Sequence, residues 1–126
     1  MSRYRHELPQ LDNRIFLSDG GMETCLIFHN EIDLPHFASF DLLKDQQGTT
    51  TLRDYYVAYA DIAVAEGTGF ILETATWRAS SDWAEKFGYD RAQLADLNRR
   101  AVSLVEEVRD NYSDQARSEE RRVGKV

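Results

Sequence analysis

Cysteine is almost missing from this sequence: Cys25 is the only one in 126 residues. A lone thiol excludes an internal disulfide and cannot by itself build a structural zinc site, which takes four ligands; a reducing compartment fits. Histidine is scarce as well, and His6, His29 and His36 show neither metal-ligand spacing nor a nucleophile partner. They read as surface or helix-end residues. Basic side chains are outnumbered, 15 Lys and Arg against 22 Asp and Glu, giving a net charge of −7 and a pI near 4.9. That balance excludes a partner recognised through its phosphates, so no nucleic acid is expected, and anionic membrane surfaces are disfavoured for the same reason. No apolar run approaches the roughly 20 residues of a spanning helix, and Met1 to Glu7 is not followed by the apolar stretch of a secretory leader. The expectation is a cytoplasmic protein with no membrane partner.

What is present is organised around Ile15-Phe16-Leu17-Ser18-Asp19-Gly20-Gly21-Met22-Glu23-Thr24. A short apolar run reads as a strand buried on both faces, and it breaks into an acid and two glycines. A strand therefore delivers a carboxylate to a turn. Paired glycines permit positive φ and, lacking Cβ, let the backbone approach a ligand or a neighbouring element closely.

Around that corner the pattern alternates. Residues 1–11 form a polar lead-in that Pro9 keeps from being one helix. Met22 to His29 suits one or two helical turns, and Asn30 to Pro35 is a loop because the residue before a proline is pushed out of the α region. His36 to Lys44 gives a short helix with Phe37, Phe40 and Leu43 on one face. Thr49, Thr50 and Thr51 are N-cap candidates for an amphipathic helix over Leu52 to Glu66, carried by Leu52, Tyr55, Tyr56, Tyr59, Ile62 and Ala63 and ended by Gly67. The tyrosines read as packing residues. Gly69 to Thr74 is a second buried strand. Ser80-Ser81-Asp82 can cap a short helix through Phe87, closed by Gly88. Asp90 and Gln93 then have capping-box spacing ahead of a long helix to about Tyr112, with Leu94, Leu97, Ala101, Leu104, Val105 and Val108 on its apolar face.

Two strands joined by a helical crossover mean parallel pairing and an α/β fold, with both polar strand ends on one edge of the sheet. In barrels and doubly wound sheets that edge binds ligands, which brings Asp19, Glu73 and Thr74 into consideration together. Glu73 is either a functional carboxylate or the ion-pair partner of Arg78 or another cation. Cys25 reads as a small packed residue, and Asp96 with Arg99 and Arg100 as exposed ion pairs of little energetic weight. The order of elements fits the first quarter of a (β/α)8 barrel.

Four stretches carry a resemblance. They are Leu17 to Thr24; Ile32-Asp33-Leu34-Pro35 with Phe37-Ala38-Ser39-Phe40; Thr74-Ala75-Thr76-Trp77-Arg78-Ala79-Ser80; and Leu97-Asn98-Arg99-Arg100-Ala101-Val102. In this order, across roughly residues 12 to 112, they resemble the N-terminal part of the homocysteine S-methyltransferase family. The resemblance implies a (β/α)8 barrel that moves a methyl group from a sulfonium or ammonium donor to the sulfur of homocysteine, using zinc held by three cysteine thiolates. Zinc would lower the pKa of the bound thiol, and the thiolate would attack the methyl in line. It further implies that Asp19 faces the homocysteine ammonium, that Gly20 and Gly21 shape the floor, and that the turn starting at Thr74 lines the same pocket.

Two departures qualify what carries over. Members often have Thr-Asn-Thr-Phe where this chain has Thr74-Ala75-Thr76-Trp77, so an amide is lost and bulk is gained, with specificity at stake. The zinc cysteines belong to later strands of such a barrel, and Cys25 matches none of them. Zinc is thus expected in a full-length form and not in this polypeptide, which carries no expected catalytic or metal-binding residue and is not expected to turn over alone. A fragment with open strand edges is also expected to be prone to aggregation. Residues 12–116 read as the truncated barrel domain. Residues 117–126 read as a non-native tail of the kind that adapter read-through produces, since they carry +2 against −9 for the rest. The alternative from another class is a small-molecule-binding or interaction module that keeps the acid-glycine corner without chemistry.

Overall fold

The computed structural model describes residues 6–8, 11 and 13–112. In chain order these form β1 (Phe16–Ser18), α1 (Met22–Phe28), two 3-10 turns (Pro35–Phe37 and Ser39–Lys44), α2 (Gln46–Ala65), β2 (Gly69–Ile71), α3 (Ser81–Lys86) and α4 (Arg91–Asn111). β1 and β2 pair in parallel, with Phe16 beside Gly69, Leu17 beside Phe70 and Ser18 beside Ile71. The result is a helix-rich α/β arrangement around a small parallel sheet, with α2 as the main crossover. The expected lead-in lies mostly, and the expected tail wholly, outside the described residues. Among the described residues no helix is long and apolar enough to cross a membrane.

Both strands are shorter than their sequences suggest, and β1 is also less buried, whereas Gly69 and Phe70 of β2 are buried as expected. Phe16 and Leu17 are half-buried, Ser18 is exposed, and Ile15 just before them is 70% exposed. β1 is therefore not buried on both faces. Each strand has one hydrogen-bonded neighbour among the described residues, so its outer side is left uncovered. At Gly69 the close packing is of another kind: a Cβ there would meet the Phe16 ring at 2.4 Å.

The core lies chiefly between helices. Ser39–Lys44 packs against both α2 and α4, which also pack on each other. Phe40, Leu43, Leu52, Tyr56, Leu97, Leu104 and Val108 fill this space, all nearly or completely buried. Full burial of side chains of this size stabilises by about 1.5–3 kcal/mol each, so this layer, rather than the short sheet, carries the fold. The apolar face expected for α4 is buried as its spacing implies, and Leu94 is half-buried.

Local signals divide into those that hold and those that shift. The capping box holds: Asp90 Oδ1 accepts from Gln93 N and Gln93 Oε1 accepts from Asp90 N, both at 2.8 Å. Gly67 and Gly88 adopt φ of +66° and +78° just past α2 and α3, as helix-ending glycines do. The start of α2 shifts. Asp45, not a threonine, is its N-cap, with the carboxylate accepting from Gly48 N at 2.7 Å. Thr49 and Thr51 already lie inside the helix, and their hydroxyls donate back to the carbonyls of Asp45 and Gln47. Ser80 occupies the N-cap position of α3 but makes no side-chain capping bond. The helix expected over His36 to Lys44 is split in two, because His36 and Phe37 take left-handed conformations (φ 54° and 59°) and Ala38 is extended.

Candidate functional site

Asp19 and Gly20 follow β1 directly, and Glu73 and Thr74 follow β2, so parallel pairing puts both segments at one edge of the sheet. The crossover helix reaches back to this edge. Tyr55 Oη donates to Asp19 Oδ2 at 2.9 Å and lies 3.2 Å from the Gly20 carbonyl oxygen. One hydroxyl proton serves one acceptor at a time, and the carboxylate is the stronger of the two. Tyr56, 1% exposed, donates to the Glu73 carbonyl oxygen at 2.7 Å. Consecutive residues of α2 thus hold the ends of both strands.

Tyr59, one turn further on, closes over the glycine. A Cβ on Gly20 would stand 2.7 Å from Tyr59 Oη, nearer than atoms tolerate. The missing side chain at position 20 makes room for a tyrosine. Gly21 is different: it is the N-cap of α1 with φ −78°, and a Cβ there would only touch Thr24 at 3.5 Å. Neither glycine uses the positive φ that the sequence allowed.

The electrostatics are one-sided. Asp19 is half-buried, and its carboxyl is raised above the ordinary carboxylate value, first by burial and then by the neighbouring charges of Glu73 and Glu23; the Tyr55 hydrogen bond opposes the rise. Glu23, in the first turn of α1, is held by the Ser39 hydroxyl, which donates to Oε1 at 2.7 Å from a fully buried position. Among the described residues none of the three carboxylates is in an ion pair. The Tyr55 phenol is pushed far above its usual range by burial and by Asp19, so it acts as a hydrogen-bond donor and not as a base. A partly desolvated acid flanked by like charges favours a cation that supplies N–H donors.

Thr74 is paired by its hydroxyl to Thr76 at 2.7 Å rather than to Asp19. Arg78 does not pair with Glu73; its guanidinium donates to the His36 carbonyl oxygen. Of the residues singled out from sequence, Asp19 and Gly20 share one corner, Gly21 opens α1 beside it, and Thr74 stands on the adjacent strand end. Tyr55, Tyr56, Tyr59, Glu23 and Ser39 complete the corner and were not anticipated there. The available signal was the tyrosine run itself, since a buried phenol needs a partner for its hydroxyl.

Residues 16–125 match the family model of homocysteine S-methyltransferase. The chain belongs to this family. No match was found among curated proteins or among solved structures. For homocysteine S-methyltransferases the resemblance implies zinc on three thiolates, and the donor set here does not fit it. Cys25, the one thiol, is half-buried in α1 against the core, and no three His, Cys, Asp or Glu side chains among the described residues are grouped to hold a metal. Asp96 and Arg100 do form the exposed pair expected of them, at 2.9 Å.

Proposed function

We propose that this chain supplies the acceptor-binding corner of a (β/α)8 methyltransferase, of which it forms the first two β/α units. Asp19 receives the ammonium group of homocysteine or a similar small amino thiol, while Gly20, Gly21 and Thr74 line the same corner. The methyl group comes from an activated sulfonium or ammonium donor, and the transfer makes a carbon–sulfur bond to the acceptor as the donor's bond to that methyl breaks. One thiol and a net acidic surface suit work in the reducing cytoplasm on small molecules. The observation that carries the reading is the Asp19 carboxylate itself. It is half-buried, oriented by Tyr55 and surrounded by Glu23 and Glu73 with no cation among the described residues, so a ligand ammonium relieves a repulsion already present.

Calorimetric titration of homocysteine into the chain and into Asp19→Asn tests it. Asn keeps an acceptor for Tyr55 and removes only the charge. A hydrogen bond to a charged group contributes about 1.5–3 kcal/mol, so affinity falls by roughly 10- to 150-fold. The deaminated analogue 4-mercaptobutyrate binds both forms alike. Unchanged homocysteine affinity in Asp19→Asn removes the ammonium role.

A second reading is a barrel-type binding module that keeps the acid-glycine corner, with Asp19 held by Tyr55, without chemistry. Methyl transfer to homocysteine by a complete barrel that carries this segment separates the two.

A further inference from the structure

Among the described residues, Tyr55 and Tyr56 hold the two strand ends, and Tyr59 on the same helix holds neither. Its hydroxyl oxygen instead takes the space that a side chain on residue 20 would fill, 2.7 Å from where a Cβ would stand. The ring is half-buried and lies 5.1 Å from that of Tyr55. The phenol is near enough to add to the rise at Tyr55, after burial and Asp19. Tyr55 spends its own proton on Asp19, the stronger acceptor, so the lone pairs of the Tyr59 oxygen are not consumed by its neighbour. Tyr59 lies outside the stretches that carry the family resemblance.

Two further acceptors converge on the same place. Tyr55 Oη lies 2.9 Å from Asp19 Oδ2 and 3.2 Å from the Gly20 carbonyl oxygen, so a single donor atom reaches both. The Gly20 carbonyl stands outside the α1 ladder, which begins with Cys25 N donating to Gly21 O at 2.8 Å. Asp19 meets Tyr55 through one oxygen, and an ionised carboxylate offers about four lone pairs. A carboxylate, a carbonyl and a phenol oxygen, all of them acceptors, are thus gathered around a residue that has no side chain. A primary ammonium is the complementary group, with one positive charge and its N–H donors arranged as a tripod. Each methyl added to the nitrogen keeps the charge and removes a donor.

We infer that Tyr59 is a specificity-determining residue of this corner: its hydroxyl oxygen, with the Gly20 carbonyl and the Asp19 carboxylate, counts the N–H donors of the ligand and selects a primary ammonium over N-methylated ones. The inference rests on the reading proposed above, in which the corner receives an ammonium group. That reading needs only the charge of Asp19, whereas the selection needs the two neutral oxygens as well. Glycine at position 20 serves the selection, because a side chain there would displace the Tyr59 oxygen. A carbonyl or hydroxyl that faces an N-methyl group loses its water without gaining a hydrogen bond, and this penalises the wrong ligand.

The test is calorimetric titration of the chain with homocysteine, N-methylhomocysteine and N,N-dimethylhomocysteine, which carry the same charge and successively fewer N–H donors. Affinity is expected to fall by about tenfold or more from the first to the last. A methyl also adds bulk, so Tyr59→Phe, checked for folding by its thermal melt, separates the two causes. Phe keeps the ring and loses only the oxygen. Homocysteine is expected to bind this variant about tenfold more weakly and N,N-dimethylhomocysteine as before, so the preference shrinks. Equal affinities of the unmodified chain for the three ligands overturn the inference without any variant. A preference that survives undiminished in folded Tyr59→Phe reports bulk and overturns it as well. Homocysteine binding that Asp19→Asn weakens and Tyr59→Phe does not sinks this inference alone. Homocysteine binding that is absent, or indifferent to Asp19→Asn, sinks the proposed function and this inference with it.

Discussion

Gly20→Ala is the most informative single change at the corner. The added Cβ would stand 2.7 Å from Tyr59 Oη but 3.6 Å from Cζ and 3.9 Å from Cε1. The clash is therefore with one atom, about 0.7 Å short of an ordinary contact. Tyr59 is not free to swing aside, because its ring lies 5.1 Å from that of Tyr55, which is bonded to Asp19. Overpacking of this kind costs about 1–3 kcal/mol. For a domain of this size that corresponds to roughly 4 °C of Tm per kcal/mol. Tyr59→Phe removes the offending oxygen and leaves ordinary contacts, so Gly20→Ala in that background should cost no more than about 0.5 kcal/mol. The assay is a double-mutant cycle by urea unfolding, read with the melting temperatures of all four proteins. If Gly20→Ala is equally costly with and without the Tyr59 hydroxyl, the close approach of Tyr59 is not why position 20 lacks a side chain.

Three further outcomes follow from the same contacts. Asp19→Asn should stabilise the fold at neutral pH: the folded carboxyl holds its proton to higher pH than the unfolded one, so the wild type loses relative stability as pH rises from about 4 through the folded value. Paired melts that show no gain for Asn between pH 4 and 7 contradict this. Tyr55→Phe removes the contact that holds the Asp19 carboxyl down, so its titration by carboxyl NMR should move further upward; a downward move is the opposing result. Gly48→Ala should be among the most damaging substitutions, about 3 kcal/mol or more, because its Cβ would lie 2.0 Å from the backbone oxygen of Leu42 with no side chain to yield; near-wild-type stability in denaturant would refute it.

Features set by neighbouring residues were legible in the sequence. The capping box at Asp90 and Gln93, the endings at Gly67 and Gly88, and the apolar face of α4 each depend on residues a few positions apart, and each appears in place. Parallel pairing followed from the helical crossover. What could not be read depends on approach across the fold. Tyr55 and Asp19 are 36 residues apart, Ser39 and Glu23 are 16 apart, and nothing local marks either pair. Gly48 is glycine because of the Leu42 backbone, a constraint invisible until α2 packs against the 3-10 turn. The threonine cluster misled for a simpler reason: Asp45 is an equally good cap one turn earlier, and Gln46 and Gln47 after it are good helix formers. Asp19 itself was legible as a candidate, whereas its raised proton affinity comes first from its burial and then from Glu73 and Glu23, none of which the local sequence pattern reveals.

Adjacent tyrosines on one helix hold the tips of two strands, which makes α2 a gauge block for the edge where Asp19 and Glu73 stand. The spacing of the two loops is fixed by a single helical step of about 100°. An insertion or deletion of one residue upstream in α2 would turn both phenols off their targets together, releasing Asp19 and the Glu73 backbone at once. A substitution at one of these tyrosines frees one strand end and leaves the other held; a change in the length of the helix frees both.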